Sequence, residues 1–148
     1  GYQKQPGQAV GKQHHNLGTL CTANAQEIKI RKMYYIKKTI EISACHRLCL
    51  SYESKCTNMH GHNWIITVYC RARKLNADGM VVDFTEVKRR IQDVIDHANL
   101  NEVLPFNPTA ENIARWVTET VPCCYKAMVQ ETEGNVAMYV ADDTEDIL

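Results

Sequence analysis

"HGHNWIITVYCRAR", residues 60–73, is the stretch whose reading decides how this chain folds. His60, His62, Trp64, Ile66, Val68, Cys70 and Ala72 share one parity, and Asn63, Thr67, Arg71 and Arg73 fall on the other. A period of two is the signature of a half-buried β-strand, in which successive side chains point to opposite faces of a sheet. From Met33 the upstream segment behaves alike: Tyr34, Ile36, Ile40, Ile42, Ala44 and His46 alternate with Lys37, Thr39, Glu41 and Ser43. Residues 47–59 then form a long connection. Both predicted strands carry their histidines on the apolar face.

Downstream the period changes. "DFTEVKRRIQDVIDHANL" opens at Asp83 with Glu86 in capping-box position, and Phe84, Val87, Ile91, Val94 and Ala98 recur at helical spacing. After "NEVLPFNP" a second helix opens at or just before Thr109, buries Ile113, Ala114, Val117 and Val121, and is stopped by Pro122. "YKAMVQETEGNVAMYVAD" reads as two short strands closed by a Gly134–Asn135 turn. The predicted order is β, β, α, α, β, β, an α+β fold with an antiparallel sheet and both helices on one face. Such an open sheet has two bare edges, which predicts pairing between subunits and hence a homo-oligomer.

The domain is expected to span residues 33–148. Residues 1–32 are rich in Gln, Gly and Asn without apolar periodicity, and composition changes sharply at Met33. The expectation is that Met33 is the natural start and that the preceding residues are an upstream extension or an artificial addition.

Composition narrows the function. The chain has 148 residues, 45% of them apolar, and 17 basic against 17 acidic side chains. That balance leaves no electrostatic footprint for nucleic acid, and the Lys88-Arg89-Arg90 run reads as a solvated helix face. No apolar run approaches the length of a membrane span. Seven irregularly spaced cysteines without a secretory signal argue against a disulfide framework and for a reducing cytoplasm.

Spacing also points to a metal. His60 and His62, two apart in a strand, can reach one ion together. If the first two strands pair antiparallel, His46 arrives at the same corner. Three neutral imidazoles suit Zn²⁺, and three protein ligands with a fourth position open is the pattern of catalytic sites. Cys56 either completes a closed site of three His and one Cys or stays off the metal as a reactive thiol; spacing leaves both open.

"ISACHRL", "C-TNM-HGHNW", "GMVVDFTEVK", "IDHANLN", "PTAENIARW" and "VQET" together, in this order across nearly all of residues 33–147, resemble the 6-pyruvoyl-tetrahydropterin synthase family. The short gap between Cys56 and His60 is similar to that of the bacterial members that make 6-carboxy-tetrahydropterin for queuosine biosynthesis. The resemblance implies the tunnelling fold (T-fold), whose subunits join through their sheets into barrels, commonly trimers stacked as hexamers, with active sites at subunit interfaces. It implies that His46, His60 and His62 hold Zn²⁺, that Cys56 is catalytic, and that Asp96 and His97 assist it. It also implies that Glu131 anchors the pterin, with Glu111 a second group near it.

The reaction so implied converts 7,8-dihydroneopterin triphosphate and water to 6-carboxy-5,6,7,8-tetrahydropterin, acetaldehyde and triphosphate. One alternative stops at triphosphate elimination, giving 6-pyruvoyl-tetrahydropterin; another is a zinc- or pterin-binding protein without turnover. Cys56 would serve as base, its thiol needing a neighbouring cation to ionise at neutral pH. Asp96 and His97 fall at a helix end, where the carbonyl dipole favours an imidazolium, but neighbouring helical residues diverge by about 100°, so spacing alone does not join them. Glu131 shares a strand face with Ala127 and Val129, where a carboxylate is costly without a partner.

Overall fold

The computed structural model describes residues 32–141. The expectations for residues 1–31 and for the last seven residues therefore lie outside the described residues. Four antiparallel strands, β1 (Tyr34–His46), β2 (His60–Ala72), β3 (Cys124–Thr132) and β4 (Asn135–Val140), form one sheet in the order β1-β2-β3-β4. Between β2 and β3 come helices α1 (Phe84–Ile95), α2 (Leu100–Val103) and α3 (Ala110–Thr120). The architecture is α+β, as the alternation predicts.

β1 and β2 pair without a break from Tyr34↔Ala72 to His46↔His60. An unbroken register keeps the same parity buried along both strands, since a slip of one residue would turn every side chain to the other face. Ile40, Ile42, Ala44, Trp64, Ile66, Val68 and Cys70 are accordingly buried, together with Ala127 and Val129 of β3. The helices cover this face with Val87, Ile91 and Ile95 of α1 and Ile113, Ala114 and Val117 of α3. No helix among the described residues is long and apolar enough to cross a membrane.

Three local expectations are corrected. The helix begun at Asp83 ends at Ile95, so Ala98 lies beyond it, and Phe84 and Val94 are exposed; the buried stripe is Val87, Ile91, Ile95. Asp83 caps α1 through Thr85 N–H, but Glu86 does not close a capping box: its carboxylate pairs with Arg89 and Arg90 one turn on. At the hairpin between β3 and β4, Thr132 pairs with Asn135, so the turn is Glu133–Gly134, with Gly134 at φ +84° where a side chain would be strained.

The outer edge of β1 is partly covered. Ser43 N–H donates to Asp96 Oδ1 (3.0 Å), Cys45 N–H to Ala98 O (3.1 Å), Arg47 N–H to Asn101 Oδ1 (2.8 Å) and Cys49 N–H to Asn107 Oδ1 (2.9 Å). The two asparagines also donate to the carbonyls of Arg47 (2.9 Å) and Cys49 (3.0 Å), so their amides replace a neighbouring strand. This ladder fixes the 96–108 segment against the histidine-bearing end of the sheet.

Candidate metal centre

His46 closes β1 and His60 opens β2, directly opposite each other; His62 faces Ala44 two pairs further in. The ring centroids lie 4.6 Å (His46–His60), 5.2 Å (His46–His62) and 4.9 Å (His60–His62) apart. The parity that predicted a common corner is thus realised. Trp64, fully buried, forms the inner wall edge-on to His46 at 4.9 Å and His62 at 5.3 Å, and its Nε1–H donates to Ala44 O at 3.2 Å.

Two rings are oriented through their outer nitrogens. His46 Nδ1 lies 2.8 Å from the Pro108 carbonyl and His60 Nδ1 2.7 Å from the Asn58 carbonyl. A carbonyl only accepts, so each Nδ1 carries the proton and each Nε2 presents a lone pair, the arrangement that fixes metal-binding histidines. A fourth group joins them: Glu131 Oε1 lies 3.2 Å from His46 Nε2 and 3.6 Å from His62 Nε2. One donor atom from each of His46, His60, His62 and Glu131 can be chosen so that all lie within 4.8 Å of one another.

The interior of this cluster is unsatisfied. His46 Nε2 and His62 Nε2 are buried without a hydrogen-bond partner. Glu131 approaches both, and at His46, whose Nδ1 carries the proton, the Nε2 lone pair facing the carboxylate is a contact between two acceptors. Burial is the largest influence on both rings and lowers the pKa of His46 and of His62 from the ordinary imidazole value; the Glu131 carboxylate pulls the other way and is outweighed. Buried nitrogens left without partners are rare and call for an explanation. A divalent cation among three imidazoles and a carboxylate satisfies every atom at once, and the donor set fits zinc.

Asp96 and His97 sit beside this corner. α1 stops at Ile95, Asp96 is extended, and His97 adopts φ +55° with its N–H on Ser43 O at 2.7 Å. That turn brings His97 Nδ1 to Asp96 Oδ1 at 3.0 Å, a contact that helical spacing alone does not provide. The Asp96 carboxyl is held below the usual carboxylate range, first by the Ser43 N–H and further by Gln92, whose Nε2 is 3.3 Å from Oδ2. His97 itself is 82% exposed.

Two cavities flank the cluster. One, about 800 Å³, is lined by Ser43, Gly61, His62, Asn63, His97, Asn99 and Glu131; the other, about 600 Å³, by Leu48, Tyr52, Thr109, Glu111, Glu131 and Asn135. Glu131 lines both, with His97 on one side and Glu111 on the other. Cys56 is not brought into this arrangement. It lies in a single 3₁₀ turn (Lys55–Thr57), exposed, with its carbonyl accepting Leu48 N–H at 2.8 Å, and it lines neither cavity. The Pro108 and Asn58 carbonyls and the bracketing asparagines escaped the sequence reading, since a backbone acceptor leaves no periodic signal.

An antiparallel α+β sheet with a trihistidine–carboxylate cluster at the mouth of its first hairpin defines a narrow class of proteins, and sequence comparison places the chain within it. The profile of the family described as 6-pyruvoyl tetrahydropterin synthase matches residues 35–142, and the chain belongs to that family. It is 33% identical to a 6-pyruvoyl tetrahydrobiopterin synthase of Poecilia reticulata over 130 residues, covering 71% of this chain and 88% of that protein. To a 6-carboxy-5,6,7,8-tetrahydropterin synthase of Synechocystis it is 32% identical over 121 residues, covering 72% and 93%. The fold matches the 6-pyruvoyl tetrahydropterin synthase of Caenorhabditis elegans with a TM-score of 0.61 and 28% identity, over 75% of this chain and 97% of that one. The sheet with its helices is therefore a T-fold.

Proposed function

We propose that this chain is a zinc-dependent 6-carboxy-5,6,7,8-tetrahydropterin synthase of queuosine biosynthesis, converting 7,8-dihydroneopterin triphosphate and water to the carboxypterin, acetaldehyde and triphosphate. The observation that carries the reading is the convergence of His46, His60 and His62 around two buried, unpaired Nε2 atoms. These three side chains would hold zinc, which supplies Lewis-acid polarisation of the substrate's side-chain oxygens.

The chain's own groups divide the remaining work. Glu131 and Glu111 face one cavity, where their carboxylates can accept hydrogen bonds from the pterin amino group and ring N–H. Cys56 serves as the base that removes the proton from the substrate side chain, and His97, held by Asp96, carries a proton to or from that step. Cys56 and His97 are both exposed and only His97 lines a cavity, so the thiol is brought to the substrate by association of subunits. The bare stretches of the β1 and β4 edges supply surfaces for that assembly, which on the T-fold is a trimer-based barrel, in a reducing cytoplasm.

A second reading, elimination of triphosphate to give 6-pyruvoyl-tetrahydropterin, is favoured by the similarity to the Poecilia enzyme, as close as that to the carboxy-forming one. The short Cys56–His60 gap favours the first. Incubating the protein with the dihydropterin triphosphate, with and without chelator, separates them: zinc-dependent acetaldehyde supports the first reading, a pyruvoyl product without acetaldehyde the second. Binding of pterin without any product would leave neither standing.

A further inference from the structure

We infer that Glu131 is the fourth metal ligand while no substrate is bound, and that it leaves the metal when a pterin enters, so that one carboxylate both closes the centre and opens it. This rests on the reading above that the cluster holds a divalent metal and the adjoining cavity a pterin.

Distance is the first observation. Four ligand atoms about 2.0–2.1 Å from a tetrahedral zinc stand about 3.3–3.4 Å from one another. Glu131 Oε1 stands 3.2 Å from His46 Nε2 and 3.6 Å from His62 Nε2, the spacing of neighbouring vertices. A charge-assisted N–H···O bond would bring the same atoms to about 2.7–2.9 Å. Between Glu131 and His46 there is no proton either, since His46 Nδ1 faces the Pro108 carbonyl and Nε2 has no hydrogen bond. The carboxylate oxygen occupies a ligand position.

The backbone at Glu131 is the second. β3 pairs with β4 through Gln130↔Val136 and then Thr132↔Asn135, with a register shift between, and its pairing with β2 ends at Gln130. Glu131 is thus the extra residue of a bulge, in register with a partner on neither side. Bulges of this kind re-aim a side chain and leave its backbone free of the ladder. The carboxylate is 26% exposed and borders both cavities, one of them also lined by Thr109 and Glu111, so it has open space on the side away from the imidazoles.

Charge completes the case. Three neutral imidazoles and one carboxylate leave a dication with a net positive charge and four ligands, a closed centre of the structural kind. Pterin N–H donors compete for the carboxylate, and its departure vacates the position a substrate oxygen requires. No bond other than metal–oxygen coordination is made or broken.

The test uses full-length protein loaded with Co²⁺ or Zn²⁺, the variants Glu131→Ala and Glu131→Gln, and neopterin as probe. In the wild type, zinc absorption fine structure should show three nitrogens and a carboxylate oxygen, and neopterin should shift the visible Co²⁺ bands. Glu131→Ala should bind zinc at least about tenfold more weakly in competition with a chromophoric chelator, the lower end of what disturbing a metal shell costs. Its Co²⁺ spectrum should differ before neopterin is added. Glu131→Gln, which preserves volume, should lie between. Wild-type zinc affinity and an unchanged Co²⁺ spectrum in both variants would overturn the inference even in an active enzyme. A wild type that binds zinc through Glu131 yet turns over no dihydropterin triphosphate would instead remove the proposed function and leave the ligand assignment in place.

Discussion

Replacing Trp64 with Phe tests whether the wall behind the histidines holds both the fold and the metal centre. The side chain is fully buried, its indole N–H donates to Ala44 O at 3.2 Å, and its edges meet two imidazoles. Loss of the second ring opens about 40 Å³ of space, which at about 24 cal/mol per Å³ costs about 1 kcal/mol if the surroundings do not collapse. The lost apolar burial, about 40 Å² at about 25 cal/mol per Å², adds about 1 kcal/mol. The deserted carbonyl adds roughly another 0.5–1.5 kcal/mol.

The sum is about 3 kcal/mol, or a fall in melting temperature of about 10 °C for a domain of this size. Urea titration of the metal-free protein isolates the fold term, and Trp116, then the chain's one remaining tryptophan, reports it by fluorescence. Zinc competition on the same variant isolates the site, where freer His46 and His62 rings should cost about tenfold or more in affinity. An unchanged urea midpoint together with unchanged zinc affinity would refute the reasoning. A loss of stability alone would show that His46 is oriented by the Pro108 carbonyl and not by the indole.

Three further outcomes are expected. Burial lowers the pKa of His46 and His62 in the fold from the ordinary 6.5, so the unfolded chain takes up protons first; metal-free protein should hold its melting temperature above about pH 6.5 and lose it as pH falls from there toward the lower folded pKa. A melting temperature flat down to pH 5 in scanning calorimetry would contradict this. Cys56→Ala should keep zinc and oligomeric state, measured by metal analysis and light scattering, while losing turnover, because the thiol is exposed and outside the cluster. Asp96→Asn should leave zinc content unchanged and lower kcat by about 10²-fold or more, the usual worth of a positioned proton-transfer group, with wild-type kcat counting against the Asp96–His97 pair.

What the sequence disclosed, and what it withheld, follows from the range of the interactions involved. β1 and β2 were legible because burial on one face of a strand writes a period of two directly into the chain, and three histidines on that face had one corner at which to meet. The end of α1 was not legible. "IQDVIDHANL" continues to satisfy helical spacing, and what stops it at Ile95 is tertiary: His97 N–H and Ala98 O bond to β1 at Ser43 and Cys45, some fifty residues away in sequence. Local propensity yields when a distant strand edge offers the backbone a better partner. The same competition produced the Asp96–His97 contact that helical geometry argues against.

Glu131 shows how a correct strand parity can still leave a side chain's neighbours unspecified. Alternation put it on the face of Ala127 and Val129, and it is there; the family resemblance assigned it to the pterin. Its distance from the imidazoles depends on the bulge after Gln130, and a bulge depends on how three strands compete for register, which a single strand's pattern does not encode. Cys56 is the converse. Its neighbours in sequence are the clustered histidines, but it lies exposed in the 3₁₀ turn, so proximity along the chain does not become proximity in the site. A thiol outside both cavities and a carboxylate among the imidazoles are what the proposed centre requires if substrate and a second subunit complete it.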